Sequence, residues 1–366
     1  MKILLLTKYS ELGASSRLRN YQYLPWLRAN GFEIEVAPLL DDAYLRRRYT
    51  HQPANRARIV LQYLRRLWQL QAACRFDLLW IEKEIFPYLP PWAEALMAHG
   101  GVPYVVDYDD AVFHDYDLNR RRIVRLLLGN KIDQVMRSAA LVVVGNQYLA
   151  ERAHHAGAKW VEYLPTSIPL TRYSPVKRKP DAPFTVVWIG TPVTAKFLRI
   201  IQRPLAEASL RCRLDLKLIG SGPVEMPGVR TEVQPWSEEK EVAELQSSDI
   251  GVMPLFDTPF DRGKCGYKLI QYMGCGKAVV ASPVGANQTI VDHGSTGFLA
   301  ASEKDWAHSI LRLHDDSRLR ARMGAAGRER VEREYCTEVN APKLAELLLH
   351  AGRSAETGHL RTRPPR

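Results

Sequence analysis

Residues 262–287, RGKCGYKLIQYMGCGKAVVASPVGAN, gather five glycines and three lysines around a short apolar run that leads into a strand-like AVVAS. A helix beginning near Gly266 places Lys264 just before it, Lys268 in its first turn and Gln271 on the same edge as Lys268. Gly263 and Gly266 free the entry loop to expose amides, Tyr267 beside them is a further candidate to contact the ligand, and Cys275 and Gly276 end the helix before a buried strand. Two cations and bare amides at a helix start form a cradle for a diphosphate. The plainer reading is a glycine-rich connector with solvated lysines. Against it stands the helix dipole, which disfavours a cation in the first turn.

A strand fed by such a helix implies an open parallel sheet, and the rest of the chain agrees. KILLLT, EIEVAPL, DLLWIE, PYVVDYD and LVVVGN read as buried strands separated by helical pattern. After Pro165 the pattern pauses through a proline- and cation-rich stretch, then restarts with FTVVWIG, RLDLKLIG, DIGVMPL and KAVVAS. The alternation predicts an α/β chain of two Rossmann-like halves. Their expected bounds are residues 1–165 and 184–335, with a linker at 166–183, a helix at 336–352 and a basic disordered tail at 353–366. At 366 residues the chain exceeds one comfortable core, and its 46% hydrophobic and 25% charged residues are ordinary for a folded globular protein.

The opening MKILLLTKYS has too short an apolar run for a signal peptide, and no later segment suits a membrane span. Cys74, Cys212, Cys265, Cys275 and Cys336 form no CxxC pair, so neither a disulfide framework nor a zinc site is expected, and a cytoplasmic setting fits. The net charge of +11 is unevenly placed: residues 43–76 hold eight arginines and no acid. An anionic partner is implied.

Two further turns are placed to meet a ligand at the carboxyl ends of strands. In SELGASSRLR, Gly13 lets the backbone approach and Arg17 reaches an anion, unless the turn is a plain loop capped by Ser15 or Ser16. In WIGTPVTAK, Gly190, Thr191 and Lys196 are placed for a phosphate, unless Lys196 is a solvated surface lysine.

With these motifs the sequence resembles a retaining GT-B glycosyltransferase of the family-four type (glycosyl transferases group 1). YMGCGKAVVASPVG, residues 272–285, is similar to the Ala-Met-Ala-Cys-Gly-Lys-Pro-Val-Val-Ala-Ser tail of that family's Glu-x7-Glu motif. The resemblance implies two Rossmann-like domains facing across a cleft, a C-terminal helix crossing back to the N-domain, and a nucleoside-diphosphate sugar as donor, with no cofactor and no metal. The motif is degenerate. Its ribose-binding glutamate falls on Gln271, which still bonds hydroxyls but without charge assistance. Its first glutamate falls on Gly263, leaving Asp261 or the KCGYK segment to replace it. The family's Gly-Arg turn reads Gly190-Thr191, so Lys196, Lys264 and Lys268 are left to hold the diphosphate. Trp236 stands where a loop commonly stacks on the base; a core tryptophan is the other reading.

In the N-domain, VVDYDDAVFHD puts Asp109 and Asp110 where the family carries a His-Asp pair. Three readings stay open: an acceptor base or positioning group whose pKa is raised by neighbouring acids, a metal site, or a solvated acidic turn. His114 is close enough in sequence to share that site, whereas His154 and His155 belong to a surface helix. The acid-free run with Arg46, Arg47, Arg48, Arg65 and Arg66 mixes arginine with aromatic and leucine residues, the composition of an interfacial helix. It suggests an anionic membrane surface and a glycan or lipid-linked acceptor, in polysaccharide or lipopolysaccharide assembly on the inner face of the cell membrane; a solvated helix face is the alternative. No helix-turn-helix, zinc-ligand or RNP pattern supports nucleic-acid binding. The remaining rivals are a non-catalytic carbohydrate- or sugar-nucleotide-binding protein on the same frame, and epimerase or phosphorylase chemistry, which the fold also hosts.

Overall fold

The computed structural model describes residues 1–50, 52–176 and 182–359. The chain divides into two compact units: Met1–Thr166 together with the residues from Asn340 onward, and Ser167–Val339.

In the first unit, β1 (Lys2–Tyr9), β2 (Glu33–Leu40), β3 (Leu78–Glu82), β4 (Tyr104–Tyr108), β5 (Leu141–Val144) and β6 (Val161–Tyr163) form one sheet in the order β2-β1-β3-β4-β5-β6. Every pairing is parallel. The central strands LLWIE, YVVDY and LVVV are buried along their whole length, as a sheet covered on both faces requires. The strand order reverses between β1 and β3, which opens a crevice beyond their carboxyl ends. The last helix, Thr337–His359, belongs mainly to this unit, where Ala341, Leu344 and Leu348 pack with Ile3, Leu5 and Trp80. It runs past residue 352, where a disordered tail was expected to begin; residues 360–366 lie outside the described residues.

The second unit repeats the plan with β7 (Phe184–Ile189), β8 (Leu214–Ile219), β9 (Arg230–Gln234), β10 (Ile250–Met253), β11 (Ala278–Ala281) and β12 (Gly297–Leu299), ordered β12-β11-β10-β7-β8-β9 and again parallel. Alternate residues of β7 feed opposite faces: Val187 and Ile189 enter one core, Val186 and Trp188 the other. Two such α/β units are the architecture that the alternating pattern predicts.

The stretch expected as a linker is partly structural. Ile168 and Tyr173 are fully buried in the second unit's core, and Ile168 exchanges backbone hydrogen bonds with Tyr335 and Thr337. Prolines masked these two anchors. Residues 177–181 of that stretch lie outside the described residues.

Candidate active site

The helix Tyr267–Gly274 begins after Gly266, whose φ of 68° is left-handed, and no side chain caps it. A Cβ on Gly266 would stand 2.2 Å from Ile290 Cδ1, so both backbone shape and space demand glycine. Gly285, at φ 53°, is equally constrained: a Cβ there would lie 2.4 Å from the Arg262 carbonyl oxygen. The turn after β11 therefore packs directly against the backbone of the turn that starts the helix. Gly266→Ala is expected to destabilise the protein by about 1–3 kcal/mol. Urea titration reads this directly, and an unchanged midpoint would show that the left-handed turn is dispensable.

Lys264 and Lys268 flank this helix start, both half-buried, with Nζ 5.1 Å from the Phe260 ring and 5.5 Å from the Trp188 ring respectively. Asn287 is buried beside them. Its Nδ2 donates to the Ser282 carbonyl at 3.0 Å, while its Oδ1 has no hydrogen-bond partner among the described residues and lies 3.8 Å from the Gly266 Cβ position. A buried acceptor left open is costly unless something donates to it.

The ends of β7 and β8 close against each other next to Trp188. A Cβ on Gly220 would stand 2.4 Å from the Gly190 carbonyl oxygen and 3.0 Å from Trp236 Cβ. Lys268, Trp188, Gly190, Gly220 and Trp236 thus form a contiguous set at the carboxyl edge of the second sheet. Thr191 spends its amide within its own turn, donating to Thr194 Oγ1 at 3.0 Å, and Lys196 is an exposed residue of the short helix Ala195–Ile200. Gly263 terminates the helix Pro259–Arg262; Asp261, a suggested stand-in for the lost glutamate, is buried and accepts the Thr258 hydroxyl at 2.7 Å.

Gln271 departs from expectation. It is 2% exposed, and its Nε2 donates to the Tyr173 hydroxyl at 3.0 Å rather than standing open for a ribose. Tyr173 donates in turn to Glu241 at 2.5 Å, Trp236 Nε1 donates to the other Glu241 oxygen at 2.6 Å, and Tyr267 meets the Tyr173 hydroxyl at 3.2 Å. Burial, then Tyr267 and Glu241, push the Tyr173 phenol well above its ordinary value, so it stays a donor. The carboxylate of this network is that of Glu241. Gln271→Glu is therefore expected to place a second carboxylate against the Tyr173 oxygen and destabilise by about 1–3 kcal/mol. Glu241→Gln in the same chain should recover part of that loss, and a double-mutant cycle on unfolding free energies decides it.

In the first unit, the switch point between β1 and β3 is held by a lysine that the sequence reading did not single out. Lys83 follows β3 with φ 65°, a left-handed backbone uncommon outside glycine. Its buried Nζ is 2.7 Å from Asp109 and 4.0 Å from Asp110, and donates to Ser15 Oγ at 3.0 Å. Ser15 donates to the other Asp109 oxygen at 2.6 Å. Burial alone would raise the Asp109 carboxyl, but the Lys83 ammonium and the Ser15 hydroxyl hold it at about 2. DYDD led to the expectation that neighbouring acids raise this carboxyl; the lysine reverses the sign. Asp107 turns away into a buried bidentate pair with Arg19, at 2.8 and 3.0 Å. Asp110, 32% exposed, is the most exposed acid of this turn. Both nitrogens of His114 are engaged, by Asp117 and by the Tyr148 hydroxyl, each at 2.8 Å. Among the described residues no group of three or more His, Cys, Asp or Glu gathers to hold a metal.

Residues 183–316 match the family described as glycosyl transferases group 1. The fold resembles sucrose-phosphate synthase of Thermosynechococcus elongatus with a TM-score of 0.72, at 16% identity over 97% of this chain and 100% of that one. Residues 183–316 form a glycosyl transferases group 1 domain, and the chain has the GT-B fold. Anabaena HepE, solved in complex with UDP-glucose, has a TM-score of 0.68 at 16% identity, covering 96% of this chain and all of that one. Among curated relatives, the D-inositol 3-phosphate glycosyltransferase of Pseudarthrobacter chlorophenolicus is 26% identical over 253 residues, 61% of this chain; the match spans 58% of that protein's length.

Within the group 1 domain, the YMGCGKAVVASPVG tail comprises the end of the helix Tyr267–Gly274, β11 and the Gly285 turn, the scaffold that fixes Gly266 and Asn287. In the GT-B first unit, Gly13 approaches Tyr9 so closely that a Cβ would stand 2.4 Å from Tyr9 Cβ, and Arg17 donates to the Glu11 carbonyl. Of the arginines assigned to a membrane surface, Arg46, Arg48 and Arg65 are exposed and Arg47 is half-buried, donating to the Pro53 carbonyl. Arg66 is a correction: it is 1% exposed and donates to the Thr7 and Ala37 carbonyls at 2.9 and 2.8 Å. Charge runs do not reveal which member faces inward.

Proposed function

We propose that this chain transfers a glycosyl group from a nucleoside-diphosphate sugar to a glycan or lipid-linked acceptor. The observation that carries the reading is the uncapped helix start at Gly266, with Lys264 and Lys268 on its flanks and the open acceptor of Asn287 beside it. Amides and ammonium groups suit the diphosphate, and a buried carbonyl oxygen suits a sugar hydroxyl. Breaking the sugar–phosphate bond builds negative charge on the leaving diphosphate, and these groups stabilise it without a metal. Retention is inferred from the likeness of residues 272–285 to the family-four tail. On the acceptor side, Lys83, Ser15 and Asp110 position the incoming hydroxyl. Asp109, held at about 2, fixes Lys83 rather than taking a proton. An acceptor presented at an anionic membrane face, as in cell-surface polysaccharide or lipopolysaccharide assembly, fits the exposed Arg46, Arg48 and Arg65.

The test is a thermal-shift panel of nucleoside diphosphates and their sugars, followed by release of nucleotide with a sugar acceptor present. A ligand that binds only the native state raises the midpoint. Failure of every nucleotide to stabilise the protein would end the reading. Stabilisation without turnover would favour a sugar-nucleotide-binding protein, the alternative to which the replaced acids at Gly263 and Gln271 point.

A further inference from the structure

The helix Arg56–Gln71 is turned inside out. Positions 60, 61, 64, 67 and 68 share one side of a helix. Here they are Val60, Leu61, Leu64, Leu67 and Trp68, and all five are exposed, Trp68 at 72% and Leu61 at 66%. The side that meets the sheet carries Arg66, anchored on two backbone carbonyls, and Leu70. An apolar stripe that faces away from its own core, while a guanidinium faces in, is surface made for something else.

Two features say what covers it. Residues 43–76 contain no acid, and Arg56 and Arg65 are exposed on the same helix, while Arg58 is paired with Asp41 at 2.6 Å. Beyond the helix, Tyr63 packs on the buried Phe86 at 5.5 Å between centroids, and Phe86 on the exposed Trp92 at 5.6 Å. Farther along the chain, the helix Arg122–Leu128 shows Ile123, Leu126 and Leu127 to solvent in a second acid-free, arginine-rich segment. Apolar stripe, exposed tryptophan and flanking arginines together fit the headgroup boundary of an anionic bilayer.

We infer that the stripe of helix Arg56–Gln71 inserts into an anionic lipid surface, with Leu64 and Trp68 as anchors and Arg56 and Arg65 on lipid phosphates. This deepens the membrane-facing acceptor reading and rests on it, while standing apart from the donor nucleotide. Among the described residues no helix is long and apolar enough to cross a membrane.

The test is flotation of the full chain with vesicles of phosphatidylcholine alone and of phosphatidylcholine mixed with phosphatidylglycerol, at low and high salt. The mixed vesicles are expected to bind, and part of that binding should survive high salt. Leu64→Ser/Trp68→Ser should weaken it about ten-fold or more at both salts, with the thermal midpoint held because both side chains already face water. Arg56→Gln/Arg65→Gln should weaken it mainly at low salt. Binding that the serine variant retains, or that salt abolishes completely, overturns the inference. So does a concentration-dependent dimer that the serine variant disperses, which gives the stripe to a second copy. Nucleotide-induced thermal shifts measured on the same samples separate the two readings: vesicle binding without any nucleotide shift keeps this inference and removes the donor assignment.

Discussion

Replacing Lys268 with alanine is expected to lower kcat/KM by about 100- to 1000-fold, roughly 3–4 kcal/mol, the loss seen when one preorganised stabiliser of developing charge is removed. The same variant should lose most of the thermal shift given by the preferred nucleoside diphosphate. Its intrinsic stability should hardly change. A lysine in the first turn opposes the helix dipole, and its ammonium over Trp188 is only half-buried, so the two contributions offset each other. A large loss of activity with little change in stability is the expected signature of a lysine that serves a ligand rather than the fold. Lys196→Ala is the matched control, since that ammonium is exposed on a neighbouring turn and should cost far less. If Lys268→Ala keeps a full nucleotide shift while Lys196→Ala loses it, the diphosphate belongs to the Gly190 turn and the helix-start assignment falls.

The fold was legible because buried parallel strands announce themselves as continuous apolar runs, as in LLWIE, LVVV and FTVVWI. Strands β9 and β12 were not legible: RTEVQ lies largely exposed at a sheet edge, and GFL is three residues long. The helix start at Gly266 could be read because glycine, lysine and helix punctuation are local features. Lys83 could not. Its partners Ser15 and Asp109 come from turns 68 and 26 residues away in sequence, and nothing in IEKE marks the left-handed backbone that turns the lysine toward them. Nor could the burial of Gln271 be read, because its partner Tyr173 and the Glu241 beyond it come from segments distant in sequence, the second valued only for Trp236.

Lys83→Met carries the second large expectation, a loss of about 3–5 kcal/mol in stability, because it strands a buried carboxylate without its cation. The pH dependence gives this its signature. In the native protein Asp109 titrates at about 2, below its ordinary 3.8, so its contribution is complete above the ordinary value and is lost as pH falls through the native one. Lys83 is raised above its ordinary value, because Asp109 and Asp110 outweigh a burial effect that would lower it. Its contribution is complete below that ordinary value and is lost only in strong alkali. Between these limits the pair adds no slope with pH. Remove the ammonium, and burial raises the Asp109 carboxyl instead. The folded variant then takes up a proton more readily than the unfolded chain, so its deficit shrinks as pH falls toward the ordinary carboxylate range. The thermal midpoint of Lys83→Met, relative to the native protein, is thus expected to be higher at about pH 5 than at about pH 8. Adding Asp109→Asn should recover stability at the higher pH and flatten the curve. A deficit equal at both pH values, untouched by Asp109→Asn, would mean that Lys83 serves packing rather than charge. With its carboxylate fixed by Lys83, Asp109 should leave no acid limb near neutrality in the pH–rate profile.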